Sequence, residues 1–107
     1  MTPKSVADWY KTKFDDQKIS LDVRTGSPWK VDIPWARIER VCLKAEGALT
    51  SDGIYIFVRG REASYAVPVE AEGGSQLLFE LAKQGKFTYE LITEASASAD
   101  GLFCYPG

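Results

Sequence analysis

Residues 18–35 read KISLDVRTGSPWKVDIPW, two segments of alternating apolar and polar residues on either side of a short turn. Successive side chains of a β-strand point to opposite faces, so the alternation over residues 18–23 and 29–35 predicts two strands with one face in the core and the other in water. The Gly and Pro within residues 25–28 are typical of a turn. Pro34 cannot donate a ladder hydrogen bond, which places the end of the second strand, or a sheet edge, at that residue.

The same pattern continues on both sides of this stretch and predicts a helix followed by further strands. Apolar residues at helical spacing predict an amphipathic helix over residues 6–14. Strands are predicted over residues 38–45, 54–58 and 65–69. The middle one is apolar on both faces, so we expect it to be central in its sheet. The short connections between these strands favour antiparallel pairing.

The C-terminal part of the chain is predicted to be mostly helical. Ser75 can cap a helix whose apolar stripe ends before Gly85, a residue typical of the position just after a helix. Residues 87–99 begin with the alternation of a strand and then repeat every four residues. This repeat favours a second helix after Thr88, with a strand as the alternative. Phe79 falls outside the apolar stripe of the first of these helices.

These elements together predict an α+β fold. We expect an antiparallel sheet of about five strands with an N-terminal helix and one or two C-terminal helices. A chain of 107 residues is long enough for one domain with a substantial core. Because no linker divides the chain, we expect residues 1–107 to form a single globular domain.

The composition argues against several functional classes. The chain has 13 Lys and Arg against 15 Asp and Glu, a formal net charge of −2, which is not the charge balance of a nucleic-acid-binding protein. No apolar run approaches the ~20 residues of a transmembrane helix, and no signal peptide is visible, so we expect a cytoplasmic protein. Histidine, the commonest general base and metal ligand, is absent.

The two cysteines are interpreted as reduced thiols. Cys42 lies in an apolar segment and is interpreted as a small core residue, whereas Cys104 lies near the C-terminus. They have neither CxxC spacing nor a partner histidine, so we expect no metal site, and without a secretion signal we expect no disulfide. The motifs GxGxxG, GxxxxGK[ST] and GxSxG are also absent from the sequence, and no cofactor is expected.

Four arginines are candidates for partner binding. Arg37 and Arg40 lie around the start of one predicted strand, and Arg59 and Arg61 follow the next strand. If these two strands pair, the four guanidinium groups share an edge of the sheet and could hold a phosphate or an acidic segment of a partner. The alternative is a set of solvated charges that protects edge strands from pairing with other chains.

Aromatic residues form a second group of candidates. The C-terminal tail, LFCYPG, is apolar where chain termini are normally polar. Either this tail covers Phe79, or Phe79, Phe103 and Tyr105 form an exposed patch for a second protein or a second copy of the chain. Trp29 and Trp35 share a strand face with core residues, so both are expected to be buried.

The middle of the chain resembles the small bacterial pleckstrin-homology-like proteins. The resemblance lies in the Trp-x-x-Ile-x-x-Val spacing of Trp35, Ile38 and Val41, in DGIYI at residues 52–56, and in a strand over residues 65–68 that leads into a helix. It implies a curved antiparallel sheet or partial barrel closed by a helix, in a binding module without catalysis. The chain departs from that pattern in three ways: it has too few predicted strands for a full barrel, it starts with a helix, and it continues past the closing helix. The basic lipid-binding loop of that family cannot be located in this sequence, so the resemblance assigns no lipid-binding residues.

These observations together predict a non-catalytic binding or adaptor module with a protein partner. The partner is another protein, or a second copy in a homodimer, and neither nucleic acid nor a transmembrane segment is expected. One alternative is a small enzyme that uses Asp, Glu, Tyr or Cys in the absence of histidine. The other is a self-assembling protein whose tail or edge strand pairs between copies. A deep pocket with convergent polar groups would favour the enzyme.

Overall fold

The computed structural model describes residues 6–24, 26–45, 52–98 and 100–106. Two antiparallel sheets and three α-helices make up this part of the chain, which confirms the predicted α+β class. The prediction of about five strands is too low, because seven strands lie within the described ranges.

The elements follow one another in the order α1 (Val6–Trp9), β1 (Tyr10–Phe14), β2 (Lys18–Val23), β3 (Trp29–Pro34), a 3-10 turn (Trp35–Arg37), β4 (Ile38–Ala45), β5 (Gly53–Val58), β6 (Tyr65–Pro68), α2 (Gly74–Lys83), α3 (Tyr89–Ser96) and β7 (Gly101–Tyr105). The first three strands form one sheet in the order β1-β2-β3. The other sheet has the order β6-β5-β4-β7.

The first sheet is a meander in which β2 is central, and β2 pairs with β3 along its length as the alternation predicted. The predicted helix over residues 6–14 is wrong beyond Trp9, because Tyr10 begins β1, which pairs with β2. Tyr10 and Thr12 are buried in this arrangement. The Asp15 carboxylate accepts two backbone amide hydrogen bonds and closes the β1–β2 hairpin. Strand pairing and burial of one face therefore outweigh the helical spacing.

The C-terminal tail is an edge strand of the second sheet. β7 pairs antiparallel with β4, while β5 lies between β4 and β6, as expected of a strand with apolar residues on both faces. Phe103 packs against the core, whereas Leu102 and Tyr105 are exposed. The prediction that the tail covers Phe79 is wrong, because the tail backbone is paired with β4 and the Phe79 side chain is 52% exposed.

A disulfide joins Cys42 of β4 to Cys104 of β7. The two residues are 62 positions apart in sequence but are direct partners in the ladder, with 4.0 Å between their Cα atoms. The prediction of two reduced cysteines is therefore wrong. The physical reason is that β7 pairing brings together two distant residues, and the tail was not predicted to be a strand.

The two C-terminal helices lie close to their predicted positions. The chain leaves α2 at Gly85, which has a left-handed φ of 78° as expected, but the N-cap of α2 is Gly73 and not Ser75. The helix predicted within residues 87–99 is confirmed as α3, and the Thr88 side chain caps it by accepting a backbone amide hydrogen bond at 3.1 Å. The last residue of that range lies outside the described residues. Among the described residues no helix is long and apolar enough to cross a bilayer.

One core cluster contains residues of both sheets and both C-terminal helices. Trp35 is buried as predicted, and its indole Nε1–H donates to the Asp15 carbonyl at 2.8 Å. The prediction that Trp29 is buried is wrong: its side chain is 39% exposed, because it is the first residue of β3 and lies at the rim of the sheet. The helices contribute the buried residues Leu77, Leu78, Leu81, Ile92 and Ala95.

β1 connects the meander to the segment that precedes α2. The Thr12 amide donates to the Glu72 carbonyl at 2.8 Å, and the Glu72 amide donates to the Tyr10 carbonyl at 2.9 Å. Directly after this pair Gly73 adopts a φ of 78°, and a Cβ atom there would overlap the Thr12 carbonyl oxygen. Glycine at this position therefore allows α2 to begin against β1.

Candidate functional site: an aromatic pocket between the sheets

One row of cross-strand partners places three large side chains at the rim of the meander. Tyr10 of β1 is opposite Val23 of β2, which in turn is opposite Trp29 of β3. Directly opposite residues of antiparallel strands project from the same face, so these side chains form one wall. The rings of Tyr10 and Trp29 meet edge to face, with centroids 6.1 Å apart and an interplanar angle of 85°.

This wall and residues of β5 and β6 line an open pocket of about 390 Å³. Its described lining residues are Trp9, Tyr10, Val23, Trp29, Asp52, Gly53, Tyr55, Ala66, Val67 and Pro68. The volume lies within the range of about 300–1,000 Å³ that is typical of small-ligand sites, and such sites are mostly apolar with few polar groups. The four aromatic residues in this lining make the pocket the candidate functional site.

Trp9 of α1 and Tyr55 of β5 complete the aromatic lining. Trp9 ends α1, and its carbonyl accepts a hydrogen bond from the Arg24 amide at 2.8 Å, which ties α1 to the end of β2. Its ring centroid lies 6.0 Å from that of Tyr10. Tyr55 projects from β5 and lies close over Gly53, where a Cβ atom would be 3.3 Å from the ring. Glycine at position 53 thus leaves room for the Tyr55 ring.

Tyr10 joins the two sides of the pocket through its hydroxyl, which donates a hydrogen bond of 2.6 Å to the Ala66 carbonyl on β6. Only 4% of the Tyr10 side chain surface is exposed, and burial raises the pKa of Tyr10 to about 12. In the described structure β6 pairs only with β5, so the hydroxyl satisfies an acceptor that a further strand would otherwise use.

The Tyr10→Phe variant should lower the free energy of unfolding by about 1–2 kcal/mol, because the Ala66 carbonyl loses its donor. The variant should also remove the contribution of Tyr10 to the pH dependence of the free energy of unfolding in alkaline solution. The pKa of Tyr10 is 10.0 without the protein environment and about 12 in the fold, so its contribution is complete below pH 10 and is lost as the pH rises through 12. Urea denaturation at about pH 8 and about pH 11 measures both effects. If wild type and variant lose the same free energy of unfolding between these two pH values, the raised pKa of Tyr10 in the fold is contradicted.

Asp52 is the only residue with a formal charge at neutral pH among the described lining residues. Its backbone carbonyl accepts a hydrogen bond from the Val69 amide at 3.0 Å, which holds the start of β5 against the end of β6. Because lysine and arginine are absent from this lining set, the described lining residues together carry a negative formal charge.

A second aromatic contact adjoins the pocket at Trp29. The ring centroids of Trp29 and Tyr65 are 6.3 Å apart, so the first residue of β3 reaches the first residue of β6. The guanidinium carbon of Arg61 lies 3.8 Å from the centroid of the Tyr65 ring. This is cation–π geometry, and it lies beside the pocket.

The structure brings Arg37 next to Arg59, and Arg37 also lines a small pocket together with Arg61. Arg37 Nη2 donates to the Arg59 carbonyl at 3.0 Å, and the Arg59 guanidinium donates back to a carbonyl of the 3-10 turn at 3.4 Å. Arg40 Nε instead donates to the Pro106 carbonyl at 3.1 Å, and Arg61 lies over an aromatic ring. Arg37 thus adjoins both Arg59 and Arg61, whereas Arg40 binds the C-terminal segment. The role of the four arginines in partner binding stays a prediction.

The three aromatic candidates lie on two elements, Phe79 on α2 and the other two on β7. Phe79 of α2 is exposed and its ring centroid is 6.4 Å from that of Tyr89 on α3. Phe103 is partly buried against the core, whereas Tyr105 is exposed at the end of β7. A partner-binding role for Phe79, Phe103 and Tyr105 stays a prediction.

The sequence reasoning missed the aromatic pocket, although one signal was present. Trp29 directly follows a turn, and a large side chain at the first position of a strand lies at the rim of a sheet. Alternation specifies which face a side chain occupies but not how deep it lies. The opposite wall could not be found without knowing that Tyr10 belongs to a strand and that its hydroxyl reaches Ala66.

Comparisons with protein-family models, curated proteins and solved structures find no match for the chain. Within the described ranges no group of three or more Cys, Asp or Glu residues is arranged to hold a metal ion.

Proposed function

We propose that the chain is a non-catalytic binding module that takes a side chain of a protein partner into the aromatic pocket. The observation that carries this proposal is the partly exposed Trp29 in a pocket lined by further aromatic rings. Trp and Tyr dominate the energetics of protein interfaces, because they offer large contact areas and lose little conformational entropy. An inserted side chain would cover the exposed part of Trp29 and complete the packing between the sheets.

An adaptor role fits this pocket better than catalysis. Acid–base and nucleophilic catalysis need a titratable group within hydrogen-bond reach of the substrate, often with a shifted pKa. Burial raises the pKa of Tyr10 in the pocket, but its hydroxyl already donates to the Ala66 carbonyl. Among the described lining residues, an enzyme at this site would have to rely on Asp52 or Tyr55.

The proposal extends to the pleckstrin-homology-like relationship that the sequence resemblance implies. It is supported by six antiparallel strands in two sheets that precede α2. The bridge between Lys11 and Glu72 partly closes the space between the sheets, as a partial barrel requires. α3 and β7 continue beyond the closing helix and are departures from that family pattern.

The test is quantitative affinity capture from the native cells, with wild type, Trp29→Ala and Tyr89→Ala as parallel baits. Tyr89 is a matched control, because it is an exposed aromatic residue of α3 away from the pocket. We expect a partner whose recovery falls about tenfold with Trp29→Ala, the loss of a typical aromatic anchor, and is unchanged with Tyr89→Ala. Calorimetry with the purified partner should reproduce the difference in Kd.

Several outcomes would contradict the pocket as the docking site. Recovery that is insensitive to Trp29→Ala, or that is lost equally with Tyr89→Ala, would place binding elsewhere. A homodimer is tested by light scattering on the pure protein. If a dimer forms and Trp29→Ala dissociates it, the partner is a second copy of this chain, and a monomer at high concentration excludes that partner.

The cytoplasmic location expected from the sequence stays a prediction. The Cys42–Cys104 disulfide argues against it, because structural disulfides are typical of oxidising compartments. Alkylation of thiols in intact cells, followed by mass spectrometry, separates the two locations. Free thiols would support the cytoplasm, and a protected bridge would support an oxidising compartment.

A further inference from the structure

The aromatic pocket has the chemistry of a site for an organic cation. The faces of aromatic rings carry partial negative charge and attract cations, Trp most strongly. Trp9, Trp29 and Tyr55 line the pocket and are each partly exposed. Asp52 adds the only formal charge among the described lining residues, and it is negative. A cation is therefore attracted by both the rings and the carboxylate, whereas an anion is attracted by neither.

The adjoining aromatic contact already engages a cation of the chain itself. The Arg61 guanidinium carbon is 3.8 Å from the Tyr65 ring centroid, and the Tyr65 ring is next to that of Trp29. This contact shows that a positive charge is accommodated on the aromatic rings at this end of β3 and β6. Arg61 is not among the residues that line the pocket, so its guanidinium does not occupy that space.

The backbone acceptors at the pocket distinguish between kinds of cation. The Ala66 carbonyl accepts from the Tyr10 hydroxyl at 2.6 Å, and the Asp52 carbonyl accepts from the Val69 amide at 3.0 Å. A primary ammonium or a guanidinium brings several N–H donors, which lose free energy if they leave water without partners. A quaternary ammonium group has no N–H donor and needs no acceptor. The Asp52 carboxylate is a further acceptor of the described lining, but it cannot serve every N–H donor of such a group, so the lining favours a quaternary ammonium group.

We propose that the aromatic pocket binds a quaternary ammonium group, carried by a trimethylated lysine side chain of the protein partner. This inference rests on the proposed function and names the chemistry of the inserted side chain. The methyl groups contact the rings of Trp9, Trp29 and Tyr55, and the Asp52 carboxylate offsets the charge. The long aliphatic part of the side chain connects the pocket to the partner's backbone outside it.

The first experiment uses choline and its neutral carbon analogue, 3,3-dimethylbutan-1-ol, as minimal probes of the same shape. Titrations are followed by two-dimensional NMR through the indole N–H signals. Trp9 and Trp29 line the pocket, whereas the Trp35 indole N–H is bound to the Asp15 carbonyl within the core. The Trp35 signal is therefore an internal reference for nonspecific effects.

We expect choline to shift the Trp9 and Trp29 signals with a Kd on the order of 1 mM, and the neutral analogue to bind about tenfold more weakly. Trp29→Leu and Asp52→Asn should each weaken choline binding about tenfold, while Tyr89→Leu leaves it unchanged. Thermal unfolding of each variant confirms that the fold is retained. If Asp52→Asn fails to fold, the comparison between choline and its neutral analogue on wild-type protein still shows whether the pocket prefers a cation.

A second set of probes identifies the source of the cation. Nα-acetyl-trimethyllysine methylamide should bind more tightly than its unmethylated lysine and arginine counterparts, and more tightly than phosphocholine, whose phosphate is repelled by Asp52. Tighter binding of phosphocholine would overturn the protein source in favour of a lipid headgroup. Tighter binding of unmethylated lysine or arginine, or equal binding of the neutral analogue, would overturn the quaternary ammonium assignment.

These results are distinguishable from failure of the proposed function. A partner whose capture depends on Trp29, combined with no response to choline at about fifty times the expected Kd, would retain the binding module and reject the cation. Choline binding that Trp29→Leu abolishes, without any Trp29-dependent partner, would reject the protein source.

Discussion

Replacing Cys42 and Cys104 together with alanine should lower the free energy of unfolding by about 4 kcal/mol. The bridge joins residues 62 positions apart, and a crosslink that closes a loop of this length restricts the unfolded chain by about that amount. It also fastens β7, an edge strand, to β4. Urea denaturation measures the effect, and the midpoint should fall by about 2 M or more, given the slope typical of a small domain.

The matched control for the cysteine variant is wild-type protein in a strong reductant. The same urea experiment on reduced wild type should give a midpoint close to that of the double variant, because both lack the crosslink. Mass spectrometry after alkylation confirms the two thiols. An oxidised protein whose midpoint does not move on reduction would show that the bridge contributes nothing to stability.

Gly73→Ala should lower the free energy of unfolding by about 3 kcal/mol or more. The φ of Gly73 is 78°, a left-handed conformation that costs a residue with a Cβ atom about 1–2 kcal/mol. The new methyl group would also overlap the Thr12 carbonyl oxygen, which belongs to the backbone and cannot turn away. Relief of that overlap separates β1 from the segment around Glu72 and weakens the two hydrogen bonds between them, at about 1 kcal/mol each.

Gly85→Ala is the control that separates backbone strain from overlap. Gly85 has the same φ of 78°, but a Cβ atom there would have no neighbour within 4 Å. This variant should lose only about 1 kcal/mol, the strain of the left-handed conformation. Thermal or urea unfolding of both variants measures the difference. Equal losses at positions 73 and 85 would mean that the approach of Gly73 to Thr12 does not matter.

Sequence patterns predicted strands where one period was unambiguous, as in β2 and β3, whose alternation has no competing helical repeat. β1 was missed because Tyr10, Thr12 and Phe14 alternate, while Val6 and Trp9 together with Tyr10 also match a helical repeat. A short segment satisfies both patterns, and the choice depends on the strand with which it pairs. That information lies in β2 and not in β1 itself.

The candidate site and the disulfide depended on register, which local patterns do not contain. Cys42 and Cys104 become neighbours only when β7 pairs with β4 at one particular alignment. Likewise, Tyr10 and Trp29 become neighbours across β2, and only the arrangement of the two sheets brings the Tyr10 hydroxyl to Ala66. Residue types could therefore suggest an aromatic binding surface, but its location required the tertiary structure.

The disulfide makes residues 42–104 a closed covalent ring, and the whole meander lies outside this ring. Non-covalent contacts hold the meander to the ring, among them the Tyr10–Ala66 hydrogen bond and the pairing of Thr12 with Glu72. Force applied at the N-terminus would therefore separate the meander from the rest of the fold and leave the disulfide-closed segment folded. Because the pocket lies between the meander and the disulfide-closed segment, a ligand that fills it would stabilise the contact between these two parts.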